Sequence, residues 1–141
     1  MIYYKYGSLS RKKTEREANL DIKMVLIVDD TPGIRDLVEM IIKLSSPDAV
    51  IFHAEHGARA WEIIKSQNSK IDLVVSDVDM PIMGGVELVG KIRQDYPEVH
   101  IILMSGNLEP KGHKAGVFVP KPFHVDDLAS TIKRLMEKPQ E

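Results

Sequence analysis

The chain has 141 residues, 43% hydrophobic and 28% charged, enough for one domain with a substantial core and too short for two ordinary ones. It has no cysteine, which excludes disulfides, zinc thiolates and thiol catalysis and suits a cytoplasmic setting. The net charge of −2 is uneven: residues 1–23 hold six basic and three acidic residues, leaving 24–141 at −5, an acidic body that argues against direct nucleic-acid binding.

Residues 1–23 lack apolar periodicity until Leu20 and Ile22 and carry the charge run Arg11–Glu17. They are expected to be a flexible or partly helical extension, with a docking or dimerising arm as the alternative. They contain no apolar core of a secretory signal, and no later run approaches the roughly 18 residues of a membrane helix. Met24 opens the first strand so cleanly that it is a candidate natural start, with the preceding residues a leader. The domain is then expected over 24–138, with 139–141 a short tail.

Met24–Val28 is an apolar run ending at Asp29-Asp30, as a buried parallel strand would. Thr31 is placed as a helix N-cap with Pro32 at the first helical position. Ile34, Leu37, Val38, Ile41 and Ile42 then share one helix face, and Ser45-Ser46-Pro47-Asp48 ends it. Val50–Phe52 predicts a second strand, and residues 57–65 a helix with Trp61 in the core. His53 and His56 are expected in a loop. The run from Ile71 to Ser76 predicts a third strand ending at Asp77. Met80–Gly85 is a loop that Met80 and Met83 pack, and Val86, Val89 and Ile92 lie on the next helix. Ile101–Met104 is the fourth strand, ending at Ser105, and Val117–Val119 a short fifth. The last helix, about 125–137, is expected to bury Val125, Leu128, Ile132 and Leu135. This alternation predicts an α/β fold, a doubly wound parallel sheet of five strands with helices on both faces. Only eleven residues, Gly106 to Gly116, join the last two strands, near the minimum of about 10–12 for a crossover with its helix. Pro110 and the glycines there predict one turn or coil in place of a fourth helix.

In such a sheet the carboxyl ends of the strands face the crevice where ligands bind. Asp29, Asp30 and Asp77 would converge there, and three acids repel one another unless a cation neutralises them. A nearby Lys121 leaves room for one further anion. The set suits a divalent metal with a phosphoryl group.

Asp29-Asp30, the run Asp77-Val-Asp-Met-Pro-Ile-Met-Gly-Gly85, Ser105-Gly106 and Lys121-Pro-Phe123, each after a strand and in this order, resemble the receiver domain of bacterial two-component response regulators. The resemblance covers about 24–138 and brings the strand order 2-1-3-4-5, the flavodoxin-like arrangement. It implies that Asp77 accepts a phosphoryl group from a histidine kinase or a histidine phosphotransfer protein. It also implies Mg²⁺ bound directly by Asp30 and Asp77, through water by Asp29, and by the backbone carbonyl of Asp79. Lys121 and the Ser105 hydroxyl would each meet a phosphoryl oxygen, and Phe118 would be the switch aromatic that follows Ser105. A cis bond before Pro122 is part of the same pattern. Output would run through contacts with a protein target, with neither nucleic acid nor membrane involved, from a monomer or weak dimer. In the family the face around the fourth helix often forms dimers; with that helix reduced, another surface is expected to serve. Asp79 adds a negative side chain beside the site and should alter the dephosphorylation rate. Gly84 is expected only to loosen a helix start.

Taken singly, each feature has a plainer reading. Asp29-Asp30 would be a capping turn, Asp77 a solvated loop acid, Ser105-Gly106 and Lys121-Pro122 turns, and Phe118 an ordinary sheet residue. Their joint occurrence carries the argument. Two rivals follow: a degenerate receiver used only for docking, and a phosphohydrolase of the haloacid-dehalogenase type, for which Asp77-Val-Asp79 would be the nucleophile motif. In that enzyme family the acid pair follows the nucleophile; here it lies upstream.

Overall fold

Five short apolar runs and four amphipathic ones follow one another along the chain, alternating except between the last two strands, and each becomes one element of an open sheet with helices on both faces. The computed structural model describes residues 24–68 and 70–137; the expectations for the N-terminal extension, its start and the tail fall outside these residues. The elements are β1 (Met24–Val28), α1 (Pro32–Ser45), β2 (Val50–Ala54), α2 (Gly57–Ser66), β3 (Leu73–Asp77), α3 (Gly85–Asp95), β4 (His100–Ser105), β5 (Gly116–Pro120) and α4 (Val125–Met136). The strands are all parallel and stand in the order β2-β1-β3-β4-β5, as expected.

Strand alternation divides the core in two. Leu26, Val28, Val74, Ile101 and Leu103 point to the side covered by α2 and α3. Val25, Ile27, Leu73, Val75, Ile102 and Met104 point to the side of α1 and α4. The central strands are buried on both faces, so their sequences read as continuous apolar runs rather than alternating ones.

Several local expectations need correction. Thr31 does occupy the N-cap of α1, but its side chain makes no capping bond; its carbonyl accepts the Ile34 and Arg35 N–H groups instead. Val125 is exposed, and Leu135 and Trp61 are only partly buried. Trp61 lies on the outer edge of the α2–α3 layer, its ring 6.0 Å from that of Tyr96 and flanked by Lys65 and Lys91. An indole tolerates that boundary because its body packs while cations meet its face. His53 is a residue of β2, and the His56 side chain caps α2 by accepting the Arg59 N–H.

Between β4 and β5 there is no helix, only coil with a turn at Lys111-Gly112. Gly112 and Gly116 have φ of +72° and +91°, values open to glycine at little cost. The backbone carbonyls that a helix would have satisfied internally find a side chain. Arg93 of α3 donates Nε–H to the Lys114 carbonyl at 2.7 Å and Nη2–H to that of Ala115 at 3.1 Å. It also donates Nη1–H to the carbonyls of Pro97 and Val99.

Candidate functional site

The parallel arrangement sets every strand's carboxyl end on one edge, and the chain places an acid, a hydroxyl or a lysine at four of them. Asp29 follows β1 and is fully buried; Asp77 ends β3 at 7% exposure; Asp30 is exposed. One carboxylate oxygen from each of these three lies within 4.8 Å of the others. Residues 47 or more apart in sequence therefore meet at one point.

Lys121, just past β5, reaches into the group. Its Nζ donates to Asp29 Oδ2 at 2.8 Å and stands 3.2 Å from Asp77 Oδ1. The Lys121-Pro122 peptide is cis, and the Lys121 N–H donates to the Ser105 carbonyl at 2.8 Å. Asp29 Oδ1 accepts the Thr31 N–H at 2.9 Å. Burial pushes the Asp77 carboxyl upward, Lys121 opposes this and Asp29 reinforces it, leaving it above the ordinary aspartate value. For Lys121 burial works downward, but Asp29 and Asp77 outweigh it and hold the ammonium above its usual value. One lysine among three acids leaves the cluster under-neutralised.

That electrostatic deficit, and a donor set of oxygen atoms alone, fit a small hard divalent cation.

The connection from β3 to α3 is folded tightly over Asp77. The Gly85 N–H donates to the Val78 carbonyl at 2.9 Å, and a Cβ on Gly85 would collide with the Asp77 carbonyl oxygen. A Cβ on Gly84 would stand 2.9 Å from the Val78 carbonyl oxygen. Gly84 thus permits a close approach of the Val78 carbonyl. Met80 and Met83 pack the loop as expected, and the Met83 carbonyl accepts the Gly57 N–H at 2.8 Å.

Ser105 is buried at the end of β4. Its Oγ accepts the Asn107 N–H at 2.9 Å and lies 3.5 Å from Asp79 Oδ2, which also takes Asn107 Nδ2–H at 3.0 Å. The Asp79 side chain is therefore beside the site, bridged to the β4–β5 loop. Phe118 lies on β5, partly buried, its ring 6.2 Å from the His113 imidazole. Sequence reasoning missed Asn107 and Arg35. Asn107 has the signal of a polar residue two after a strand-ending serine, which is too common to single out. Arg35 Nη1–H donates to the Asp29 carbonyl at 2.6 Å and has no motif of its own.

A model of the response regulator receiver domain matches residues 25–133. The chain belongs to that family. It is 35% identical over 135 residues to the sensor kinase CckA of Brucella abortus, covering 90% of this chain and 14% of the kinase. It is 33% identical over 107 residues to a chemotaxis protein CheY homolog of Campylobacter jejuni, covering 70% of this chain and 81% of that protein. Among solved structures it resembles the chemotaxis response regulator CheY4 of Vibrio cholerae, at 29% identity and a TM-score of 0.66, over 81% of this chain and 98% of that one. The chain thus spans nearly all of a stand-alone receiver and a small part of the kinase. Receiver domains are not enzymes in the ordinary sense, and membership of this family sets aside the haloacid-dehalogenase reading. No helix among the described residues is long and apolar enough to cross a membrane.

Proposed function

We propose that this receiver accepts a phosphoryl group on Asp77 in a Mg²⁺-dependent phosphorelay and signals through protein contacts. One observation carries the reading: Asp29, Asp30 and Asp77 share a point, and Lys121 bridges two of them. Asp30 and Asp77 would hold the cation directly and Asp29 through water, and the Asp79 backbone carbonyl would add an oxygen. Bound there, Mg²⁺ supplies charge neutralisation for the phosphoryl oxygens.

The residues divide the remaining work. An Asp77 carboxylate oxygen attacks phosphorus as the phosphorus–nitrogen bond of a phosphohistidine breaks, and the departing imidazole keeps that electron pair. Lys121 swings its ammonium from the carboxylates to a phosphoryl oxygen, where positive charge is needed as the transition state forms. The Ser105 hydroxyl donates to another, giving up its present geometry with Asp79. Phe118 follows that movement and alters the surface over β5. The donor is a histidine kinase or histidine phosphotransfer protein and the recipient a protein target; the setting is cytoplasmic, with the protein a monomer or weak dimer.

Intact-mass spectrometry after acetyl phosphate and Mg²⁺ treatment tests the assignment. Wild type should gain about 80 daltons, the mass of one phosphoryl addition, and Asp77→Asn should not. An adduct that persists in Asp77→Asn places the acceptor elsewhere. A wild type that stays unlabelled, and that beryllofluoride with Mg²⁺ leaves unperturbed, would be a docking module.

A further inference from the structure

Two of the three acids are held by partners at their carboxylates, and one is not. Asp29 takes Lys121 and the Thr31 N–H, and Asp77 lies against Lys121. Asp30 is exposed, and its carboxylate has no hydrogen bond within the described residues. Its direction is therefore set by its own backbone.

That backbone is gripped from outside the site. Arg35 Nη1–H donates to the Asp29 carbonyl oxygen at 2.6 Å. This oxygen and the Asp30 N–H belong to one planar peptide unit. Holding the oxygen fixes the rotation of the plane that leads into Asp30, and so where its side chain departs. Arg35 is itself held in place. Its Nε–H donates to His53 Nδ1 at 3.2 Å, and His53 Nε2 stands 2.6 Å from Glu39 Oε1. With Nδ1 accepting, the ring proton resides on Nε2 and is donated to Glu39. The line Glu39, His53, Arg35, Asp29 carbonyl spans α1, β2 and the β1–α1 turn, and the chemistry above uses none of its three side chains.

We propose that Arg35, oriented by His53 and Glu39, is a positioning residue that holds the Asp30 carboxylate in the cation site and thereby sets the affinity of the acid cluster for Mg²⁺. This rests on the Mg²⁺ reading given above. Two effects oppose each other. A guanidinium repels a second cation, but Glu39 lies across the imidazole to offset its charge, and salt screens what remains over about 8–10 Å. Positioning acts at bonding distance on the peptide leading into a ligand whose carboxylate has no hydrogen bond of its own among the described residues. It wins.

Isothermal titration of MgCl₂ into the full chain, without any phosphodonor, reads the effect. Arg35→Ala should weaken Mg²⁺ binding about tenfold, the low end for groups that orient metal ligands. Arg35→Lys, which can still reach the carbonyl, should recover most of the loss. His53→Phe should weaken binding about threefold in wild type and add nothing to Arg35→Ala, because it acts through the same side chain. Arg35→Ala binding Mg²⁺ as tightly as wild type, or tighter as charge repulsion alone requires, overturns the proposal. Additive losses in the double variant do the same. If Arg35→Ala does not fold, His53→Phe decides, and unchanged affinity there is also fatal. A wild type that binds no Mg²⁺ overturns the Mg²⁺ reading and this inference together. Binding lost in Asp30→Asn but kept in Arg35→Ala overturns this inference alone.

Discussion

The two connections that flank the site solve the same problem in opposite ways. Between β3 and α3 backbone meets backbone: Gly85 donates to the Val78 carbonyl, and Gly57 at the start of α2 donates to that of Met83, at approaches where a Cβ would not fit. Between β4 and β5 a helix is absent, and the Arg93 side chain takes the carbonyls instead. The first depends on the absence of side chains, the second on the presence of one. The first should therefore break when an atom is added, the second when atoms are removed.

The largest effect is expected at Gly85. Gly85→Ala drives a methyl into the Asp77 carbonyl, with the Leu103 side chain 3.0 Å away. Overpacking against backbone should cost about 3 kcal/mol in a urea titration, and labelling by acetyl phosphate should fall with it. Wild-type stability in this variant would refute the tight-turn account.

Arg93→Ala comes next. Burial holds this guanidinium below the usual arginine value, so its bonds to carbonyl oxygens offset a desolvation cost. Losing them should cost about 2 kcal/mol. Hydrogen exchange should accelerate across 106–115 and stay unchanged across 78–84. Equal acceleration in both connections would show that they are not independent.

A smaller effect separates the charges at the site itself. The Asp77 carboxyl titrates above its ordinary value when folded, so the folded state binds that proton more tightly than the unfolded one. Its contribution to stability therefore falls as pH rises through the carboxylate range. In metal-free buffer at pH 7, Asp77→Asn should be more stable than wild type, a gap that closes as pH falls through the carboxylate range and under saturating Mg²⁺. Lys121 runs the other way: its contribution is complete below 10.5 and is lost as pH climbs through its higher folded value. Urea midpoints across pH measure both.

The smallest concerns Ile82, on the tightly folded side. It has φ of +70° and is 79% exposed, a left-handed conformation that a β-branched residue adopts only under strain. Ile82→Asn should stabilise the fold by about 0.5 kcal/mol in the same urea assay. A loss of stability would mean that Ile82 makes contacts its exposure hides.

Much of this was legible before any coordinates. Each strand ending at Asp29, Asp77 and Ser105 could be read because central parallel strands are buried on both faces and leave unbroken apolar runs. The missing helix could be read from Pro110 and the chain length available. Val125 misled because its helical spacing matched Leu128 and Ile132, while a first-turn residue can overhang the end of the layer. Trp61 misled because size suggests burial, and only its neighbours show that it sits on the rim. Arg35 and Asn107 were invisible, and His53 was read only as a loop residue, because their bonds run to backbone atoms or across elements, and no periodicity records those.

By itself, then, the order of residues decided the alternation of strands and helices, the acids at the strand ends and the shortened final crossover, since these follow from apolar spacing and the limited reach of eleven residues. Only the packed fold decided that Lys121 bonds Asp29 while the Asp30 carboxylate has no hydrogen bond among the described residues, and that an arginine six residues on from Asp29 donates to the peptide leading into Asp30. Electrostatics and hydrogen bonds act through distance in space, which sequence separation does not encode.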